Sequence, residues 1–166
     1  MNEFLESIRK RDPAAKSIVG IILTYPGVKA VFMHKISRFF HLAVPAGDLS
    51  IATKFYTDIL GCKLGNREED KWVDVDFWGN ELTLHKTDMK LPNERHDVDM
   101  GKVPVPHFGV HLEPNVFNTI KENLKKNNVQ YLDPPYTRFE GKKEQQETFF
   151  IKDPHGNILE LKTLKN

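Results

Sequence analysis

Apolar residues change their spacing along the chain, and the change divides it near residue 38. Before that point they recur at intervals of three or four residues, as Phe4 and Ile8 do, which is typical of amphipathic helices. This pattern predicts three helices, over residues 2–10, 13–24 and 27–37. After residue 38, short apolar runs alternate with polar residues, which is typical of strands.

The second part of the chain contains one order of elements twice. A strand (HLAV), a helix capped by Asp48 and two strands (KWVDVDFW and NELTLHK) come first. Residues 88–103 are polar and are predicted to form a loop. The order then restarts with VPHFGVHL, and GNILELKT at 156–163 repeats the Gly-Asn-x-Leu-x-Leu spacing of GNELTLHK at 79–86. The pattern predicts two tandem strand-helix-strand-strand-strand units.

Alternation along these strands places large apolar residues on one face and chemically active residues on the other. The second face collects four candidate ligands: His41, His85, His107 and Glu160. If their strands belong to one curved sheet, three imidazoles and a carboxylate meet in a hollow, and such a set suits a divalent first-row metal. A metal would also supply the partner that a buried Glu160 needs. The alternatives are hydrogen-bonded or surface histidines and a solvated glutamate at a sheet edge.

Composition excludes several classes of protein. The chain has 166 residues, 39% of them hydrophobic and 28% charged, with a formal net charge of +1. This balance gives no electrostatic reason to expect binding to nucleic acid or to an anionic membrane. The single Cys62 excludes an intramolecular disulfide and a cysteine-rich zinc site. No signal peptide and no apolar run of about 20 residues is found, so we expect a cytoplasmic protein.

Residues 38–164 resemble the glyoxalase / bleomycin-resistance / extradiol-dioxygenase family, also called the vicinal oxygen chelate superfamily. The segments that carry the resemblance are FHLAVPAGDLSIATKFYTDILGCKLG, FWGNELTLHK, VPHFGVHL and DPHGNILELK. The resemblance implies an α+β fold in which paired βαβββ modules form a cupped mixed sheet around a divalent metal. We therefore expect a helical extension at 1–37 and a domain at 38–166, with modules at about 38–87 and 104–164.

The resemblance also implies the metal ligands. The first strand of each module would supply His41 and His107, and the last strand of the second module would supply Glu160. The last strand of the first module has Thr83 where the family commonly has Glu or Gln, and His85 follows two residues later. We expect His85 at or beside the metal, which would be Ni, Zn, Mn or Fe.

The implied function is a metal-dependent enzyme acting on a small oxygen-chelating substrate. It would be a glyoxalase-like lyase or isomerase, which moves a proton, or a ring-cleaving dioxygenase. Glu160 is the candidate catalytic carboxylate, and Arg138 in PPYTRFEG is the candidate clamp for a substrate carboxylate or enolate; a solvated, ion-paired arginine is the alternative. The competing function is a metal-free resistance protein that binds a drug or metabolite. Because such modules frequently complete their sites across a dimer, a homodimer is expected.

Residues 8–40 have a different resemblance, to the helical N-terminal region of bacterial serine acetyltransferases. The hexapeptide repeats that build the acyl-CoA site of those enzymes are absent from the sequence, so acetyltransferase activity is not predicted. Asp12 in RDPA fits a helix N-cap. As amphipathic helices, the segment is predicted to mediate self-association or to dock onto a partner, for example an enzyme of cysteine biosynthesis.

Overall fold

Two βαβββ modules account for most of the residues that the computed structural model describes, which are 41–98 and 101–165. The first module has five elements: β1 (His41–Pro45), α1 (Leu49–Lys54), β2 (Lys63–Glu68), β3 (Trp72–Phe77) and β4 (Asn80–His85). A π-helical segment (Phe55–Ile59) continues α1. The helices predicted at 2–10, 13–24 and 27–37, and the boundary of the 1–37 extension, lie outside the described residues.

A two-stranded hairpin, β5 (Glu94–Val98) and β6 (Gly101–Val105), connects the modules. It was predicted as loop because residues 88–103 are mostly polar. In β5, Glu94, Arg95, His96 and Asp97 are all exposed, so hydrophobic alternation gives no signal there. Arg95 ties it to the second module, since its Nη2 donates to both carboxylate oxygens of Asp133, at 2.8 and 2.7 Å.

The second module repeats the order of the first. Its elements are β7 (Phe108–His111), α2 (Pro114–Lys126), β8 (Tyr131–Arg138), β9 (Gln146–Lys152) and β10 (Ile158–Leu164). No helix among the described residues is long and apolar enough to cross a membrane.

Strand order and register confirm the internal repeat. The two four-stranded sheets run β1-β4-β3-β2 and β7-β10-β9-β8. The first and last strands of each module pair in parallel, with Ala43 opposite Thr83 and Gly109 opposite Glu160. The strands of one chain thus form two four-stranded sheets, whereas the sequence analysis considered them as one curved sheet.

The helix of each module covers the apolar face of its sheet, and the two sets of side chains form one continuous core. Tyr56, Phe117, Leu124, Phe149 and Leu159 are among its members, each at most 1% exposed. Burial of this apolar surface supplies the main favourable free energy of folding. The Leu/Val faces of the strands are therefore committed to the core, which leaves the opposite faces to carry polar residues.

A turn between β9 and β10 ties the modules together through the buried carboxylate of Asp153. Its Oδ1 accepts from the backbone N–H groups of residues 155, 156 and 157, at 2.8–3.0 Å. Its Oδ2 accepts from the Tyr56 hydroxyl of the first module at 3.1 Å and from the Asn157 amide at 2.6 Å. The Asn157 amide also donates to the carbonyl of Pro45, at 2.6 Å. These bonds explain why the turn begins with Asp153 and ends with Asn157.

Candidate metal site

Glu160 and His107 lie side by side on the polar face of the second sheet. Glu160 is in β10 with only 4% of its surface exposed, and His107 immediately precedes β7. The distance from His107 Nε2 to Glu160 Oε2 is 3.3 Å. The parallel register causes this approach, since Glu160 is opposite Gly109, two residues after His107.

The backbone fixes the orientation of the His107 ring. Its Nδ1 lies 2.6 Å from the carbonyl oxygen of Pro104, which can only accept a hydrogen bond, so Nδ1 carries a proton. The edge of the ring packs against Phe150, with the two centroids 5.2 Å apart. Nε2 is therefore the nitrogen presented to Glu160.

The carboxylate of Glu160 has further partners. Lys162 Nζ lies 2.8 Å from Oε2, and the Thr148 hydroxyl donates to Oε1 at 3.0 Å. Burial raises the pKa of Glu160, but hydrogen bonds from His107 and Lys162 outweigh burial and bring the pKa to about 2. The hydrogen bond with Glu160 raises the pKa of His107, while burial opposes the rise. Glu160 is thus an ionised carboxylate held by the His107 imidazole, the Lys162 ammonium and the Thr148 hydroxyl.

His41 occupies the same place in the first module that His107 occupies in the second. Its Nδ1 lies 2.8 Å from Glu81 Oε1, and 59% of its side chain is exposed. Glu81 is directly opposite His41 in the pairing of β1 with β4. A carboxylate held against Nδ1 orients the ring so that Nε2 is available to another ligand.

Thr83 and His85 have different surroundings. Thr83 is buried, and its hydroxyl donates to Asp74 Oδ1 at 2.6 Å. His85 ends β4 with an exposed side chain, opposite Trp72 on β3 and Pro45 on β1. The role of His85 as a ligand remains a prediction.

The structure brings two of the four predicted ligands together. His107 and Glu160 are in contact on the second sheet, while His41 and His85 are on strands of the first. Across residues 41–98 and 101–165 of a single chain, no group of three or more His, Cys, Asp or Glu side chains is placed to hold a metal.

Arg138 ends β8, opposite Gln146, with its guanidinium 5.1 Å from the centroid of the Phe139 ring. Tyr136, two residues earlier on that strand, has a raised pKa, chiefly through burial, with Glu160 and Asp133 adding to the rise and Arg138 opposing it. The phenol therefore stays protonated at neutral pH, near both Glu160 and Arg138.

Sequence reasoning missed the role of two residues. Alternation places Lys162 on the face of Glu160, but nothing in the pattern shows that its ammonium contacts the carboxylate. Thr148 lies opposite Lys162 on β9, and only the strand register reveals that it also reaches Glu160.

A sequence model of the Glyoxalase/Bleomycin resistance protein/Dioxygenase superfamily matches residues 38–161. The chain belongs to this superfamily. Its members typically bind divalent metals, act on small molecules and often form dimers. A comparison with curated proteins gave no match.

Solved structures agree with the family. A glyoxalase/bleomycin resistance protein/dioxygenase from Alicyclobacillus acidocaldarius is 37% identical over 76% of this chain and 91% of its own, with a TM-score of 0.61. The fosfomycin resistance protein FosX from Listeria monocytogenes is 16% identical over 78% of this chain and 94% of its own, with a TM-score of 0.58. A virulence protein from Salmonella typhimurium is 19% identical over 78% and 98%, with a TM-score of 0.53. The last two show a shared fold alone.

Proposed function

We propose that this protein is a metal-dependent enzyme that acts on a small substrate with vicinal or enolisable oxygens. His107 and Glu160 of one chain would hold a divalent metal together with His41 of a second copy. The observation that carries the proposal is the matching state of the two histidines. Each has Nδ1 held by an oxygen, at 2.6 Å for His107 and 2.8 Å for His41, which leaves Nε2 as the metal-binding nitrogen.

The donor set fits a divalent first-row metal. Two imidazoles and a carboxylate leave coordination positions open for substrate oxygens, and Nε2 of His107 would give up the proton that it shares with Glu160 when a metal binds. The carboxylate is already ionised, since the pKa of Glu160 is about 2, so no proton has to leave it at neutral pH. Lys162 now occupies one oxygen of Glu160, and a metal would compete with its ammonium for that oxygen.

The metal, when bound, would act as a Lewis acid on the substrate oxygens. The protein's own groups have separate tasks in this proposal. Arg138 would clamp a carboxylate or enolate oxygen, and the protonated phenol of Tyr136 would donate a hydrogen bond beside it. Glu160 would stabilise and position the reacting group. Proton transfer and ring cleavage both fit these roles, and assays with hemithioacetals, acyl-CoA epimers and catechols separate them.

Metal titration tests the proposal directly. The full chain, stripped of metal, is titrated with Mn²⁺, Fe²⁺, Ni²⁺ and Zn²⁺ by calorimetry, the Fe²⁺ arm without oxygen. We expect about one ion per chain, and a loss of affinity of at least about 100-fold in His107→Ala and Glu160→Gln. His96→Ala, which removes an exposed histidine of the hairpin, serves as the matched control. Absence of binding by the wild type, or equal affinities in all four proteins, would contradict the proposal.

A mixed dimer tests the contribution of His41. In a two-fold dimer with two shared sites, His41→Ala and His107→Ala each destroy both sites. A heterodimer of the two variants, isolated with two different tags, has one site with both histidines missing and one site intact. We expect about one metal ion per heterodimer and none in either homodimer. A heterodimer without metal, although the wild type binds it, would exclude a site shared in this way.

The alternative is a metal-free binding protein, and one observation favours it. Lys162, His107 and Thr148 already satisfy the buried carboxylate of Glu160, so the fold does not require a metal there. Under this alternative Glu160→Gln would weaken ligand binding without any metal dependence. If the wild-type protein binds none of the four ions but binds a small molecule, the metal-free alternative is supported.

A further inference from the structure

The hairpin between the modules contacts the candidate site through a carbonyl group. The carbonyl oxygen of Pro104, in β6, lies 2.6 Å from Nδ1 of His107 and so determines which nitrogen of the ring faces Glu160. An isolated two-stranded hairpin is only marginally stable in water. The position of this carbonyl, and with it the orientation of the His107 ring, therefore depends on what attaches the hairpin to the second sheet.

Arg95, directly opposite Pro104 in the hairpin, provides an attachment of this kind. Its Nε and Nη2 lie 3.2 and 2.8 Å from the carbonyl oxygen of Lys102, two residues before Pro104 on β6. Its Nη2 also lies 2.8 and 2.7 Å from the two carboxylate oxygens of Asp133 on β8. Arginine is suited to this double contact, because its planar guanidinium carries five N–H donors in a fixed arrangement. One side chain thus holds the backbone of β6 and a strand of the second sheet.

Asp133 is in turn connected to the candidate site through β9. It is opposite Phe150 in the pairing of β8 with β9, and Phe150 is opposite Glu160 in the pairing of β9 with β10. The rings of Phe150 and His107 meet edge to face, with their centroids 5.2 Å apart. Asp133 and the two residues that contact His107 from the sheet therefore lie in one row across three strands.

We propose that Arg95 and Asp133 are positioning residues of the candidate metal site, which act by holding the Pro104 carbonyl against Nδ1 of His107. The inference rests on the proposed function, since it concerns the ring whose Nε2 would bind the metal. The side chains of the pair are 35% and 24% exposed and lie outside the hydrophobic core, so replacing either leaves no cavity there. Ion pairs with this exposure contribute little to global stability, which separates a positioning role from a general loss of the fold.

Two variants of opposite charge separate positioning from electrostatics. Arg95→Ala removes a positive charge and Asp133→Asn a negative one, so through charge alone the first would strengthen binding of a divalent cation and the second would weaken it. Through positioning, both release the hairpin, and both should weaken the binding of Zn²⁺ by about tenfold or more in calorimetric titrations. The double variant should bind no more weakly than either single variant, because each already breaks the same contact.

The metal-free, full-length protein gives a second readout. In ¹⁵N-labelled wild type, the proton on Nδ1 of His107 should give an NMR resonance protected from solvent, because Pro104 accepts it. Arg95→Ala and Asp133→Asn should each accelerate the exchange of this proton with water by about tenfold or more. Asp133→Asn keeps the shape of the side chain, so it decides the outcome if Arg95→Ala is unstable.

Lys121→Ala is the matched control. It breaks an ion pair of similar exposure, with Glu147 of β9 at 2.7 Å, and that pair does not involve the hairpin. The control should retain the wild-type proton exchange and metal affinity. Equal exchange in wild type, Arg95→Ala and Asp133→Asn, or opposite changes of metal affinity in these two variants, would overturn the proposal. A wild type that shows the expected exchange pattern but binds no metal would contradict the proposed function and still support the positioning of His107 by this pair.

Discussion

The polar faces of the two modules share a backbone arrangement and differ in chemistry. Glu160 in the second module corresponds to Thr83 in the first, and both are opposite the same point of the neighbouring parallel strand. Glu160 is held by a histidine and a lysine, whereas Thr83 donates to Asp74 on the adjacent strand. The strand register thus sets where a side chain lies, and its neighbours set what it can do.

The approach of Gly109 to the backbone of Glu160 gives the largest expected difference between the modules. A Cβ on Gly109 would lie 1.9 Å from the carbonyl oxygen of Glu160, so the backbone of β7 or β10 would have to move. Ala43, at the equivalent place, already has a Cβ. We expect Gly109→Ala to lower the free energy of unfolding by about 3 kcal/mol or more, and Ala43→Gly by about 1 kcal/mol. Chemical denaturation measures both, and equal losses would show that the two strand pairs are not as different as described.

The ionised carboxylate makes the second module sensitive to acid. The pKa of Glu160 is about 2 in the folded protein and 4.5 for an ordinary glutamate. A depressed pKa stabilises the fold at pH values above 4.5, and this stabilisation is lost as the pH falls towards 2. The contribution is on the order of 3 kcal/mol.

Glu160→Gln should remove this component, so its stability would change less than that of the wild type between pH 5 and pH 2. Thr83→Val is the control in the first module and should retain the wild-type acid dependence. Denaturation curves at several pH values check the expectation. Parallel curves for wild type and Glu160→Gln would show that Glu160 titrates normally.

Replacing the lysine beside Glu160 is expected to have a smaller effect than the changes above, and the effect is on metal affinity. Lys162 corresponds to His85 in the repeat, and its ammonium lies 2.8 Å from Glu160. Lys162→Met would remove a positive charge that competes with a divalent ion, so we expect about tenfold tighter metal binding. His85→Met does not remove a lysine charge beside Glu160, so no gain in metal affinity is expected from it. Calorimetric titration of both variants with metal tests the difference. Weaker metal binding by Lys162→Met than by the wild type would contradict competition between the ammonium and the metal.

The helix N-termini show the smallest expected difference. Asp48 accepts hydrogen bonds from the backbone N–H groups of Ser50 and Ile51, at 2.8 and 3.1 Å, whereas Glu113 at the start of α2 makes no such bond. Asp48→Ala should therefore cost about 1 kcal/mol of stability, and Glu113→Ala nearly nothing. Thermal unfolding of the two variants measures this, and a larger cost for Glu113→Ala would be inconsistent with the cap geometry.

The sequence predicted the parts of the fold that hydrophobic pattern controls. The alternation in NELTLHK and NILELK and the cap at Asp48 were sufficient to predict β4, β10 and α1. The hairpin was missed because four consecutive residues of β5, from Glu94 to Asp97, are polar and exposed, so that strand shows no alternation. The contact of His107 with Glu160 followed from the repeat, but the approach of Lys162 depends on side-chain conformation. Whether His41 joins His107 and Glu160 in one site depends on assembly, which the hydrophobic pattern of one chain does not reveal.

The turn around Asp153 also determines how the protein comes apart. Tyr56 and Pro45 belong to the first module, yet both are bonded to this turn of the second. Separating the modules would remove the Tyr56 hydroxyl from the Asp153 carboxylate and the Asn157 amide from the Pro45 carbonyl, in addition to exposing their shared core. Because the two modules share one core and this turn, we expect them to unfold together as one cooperative unit.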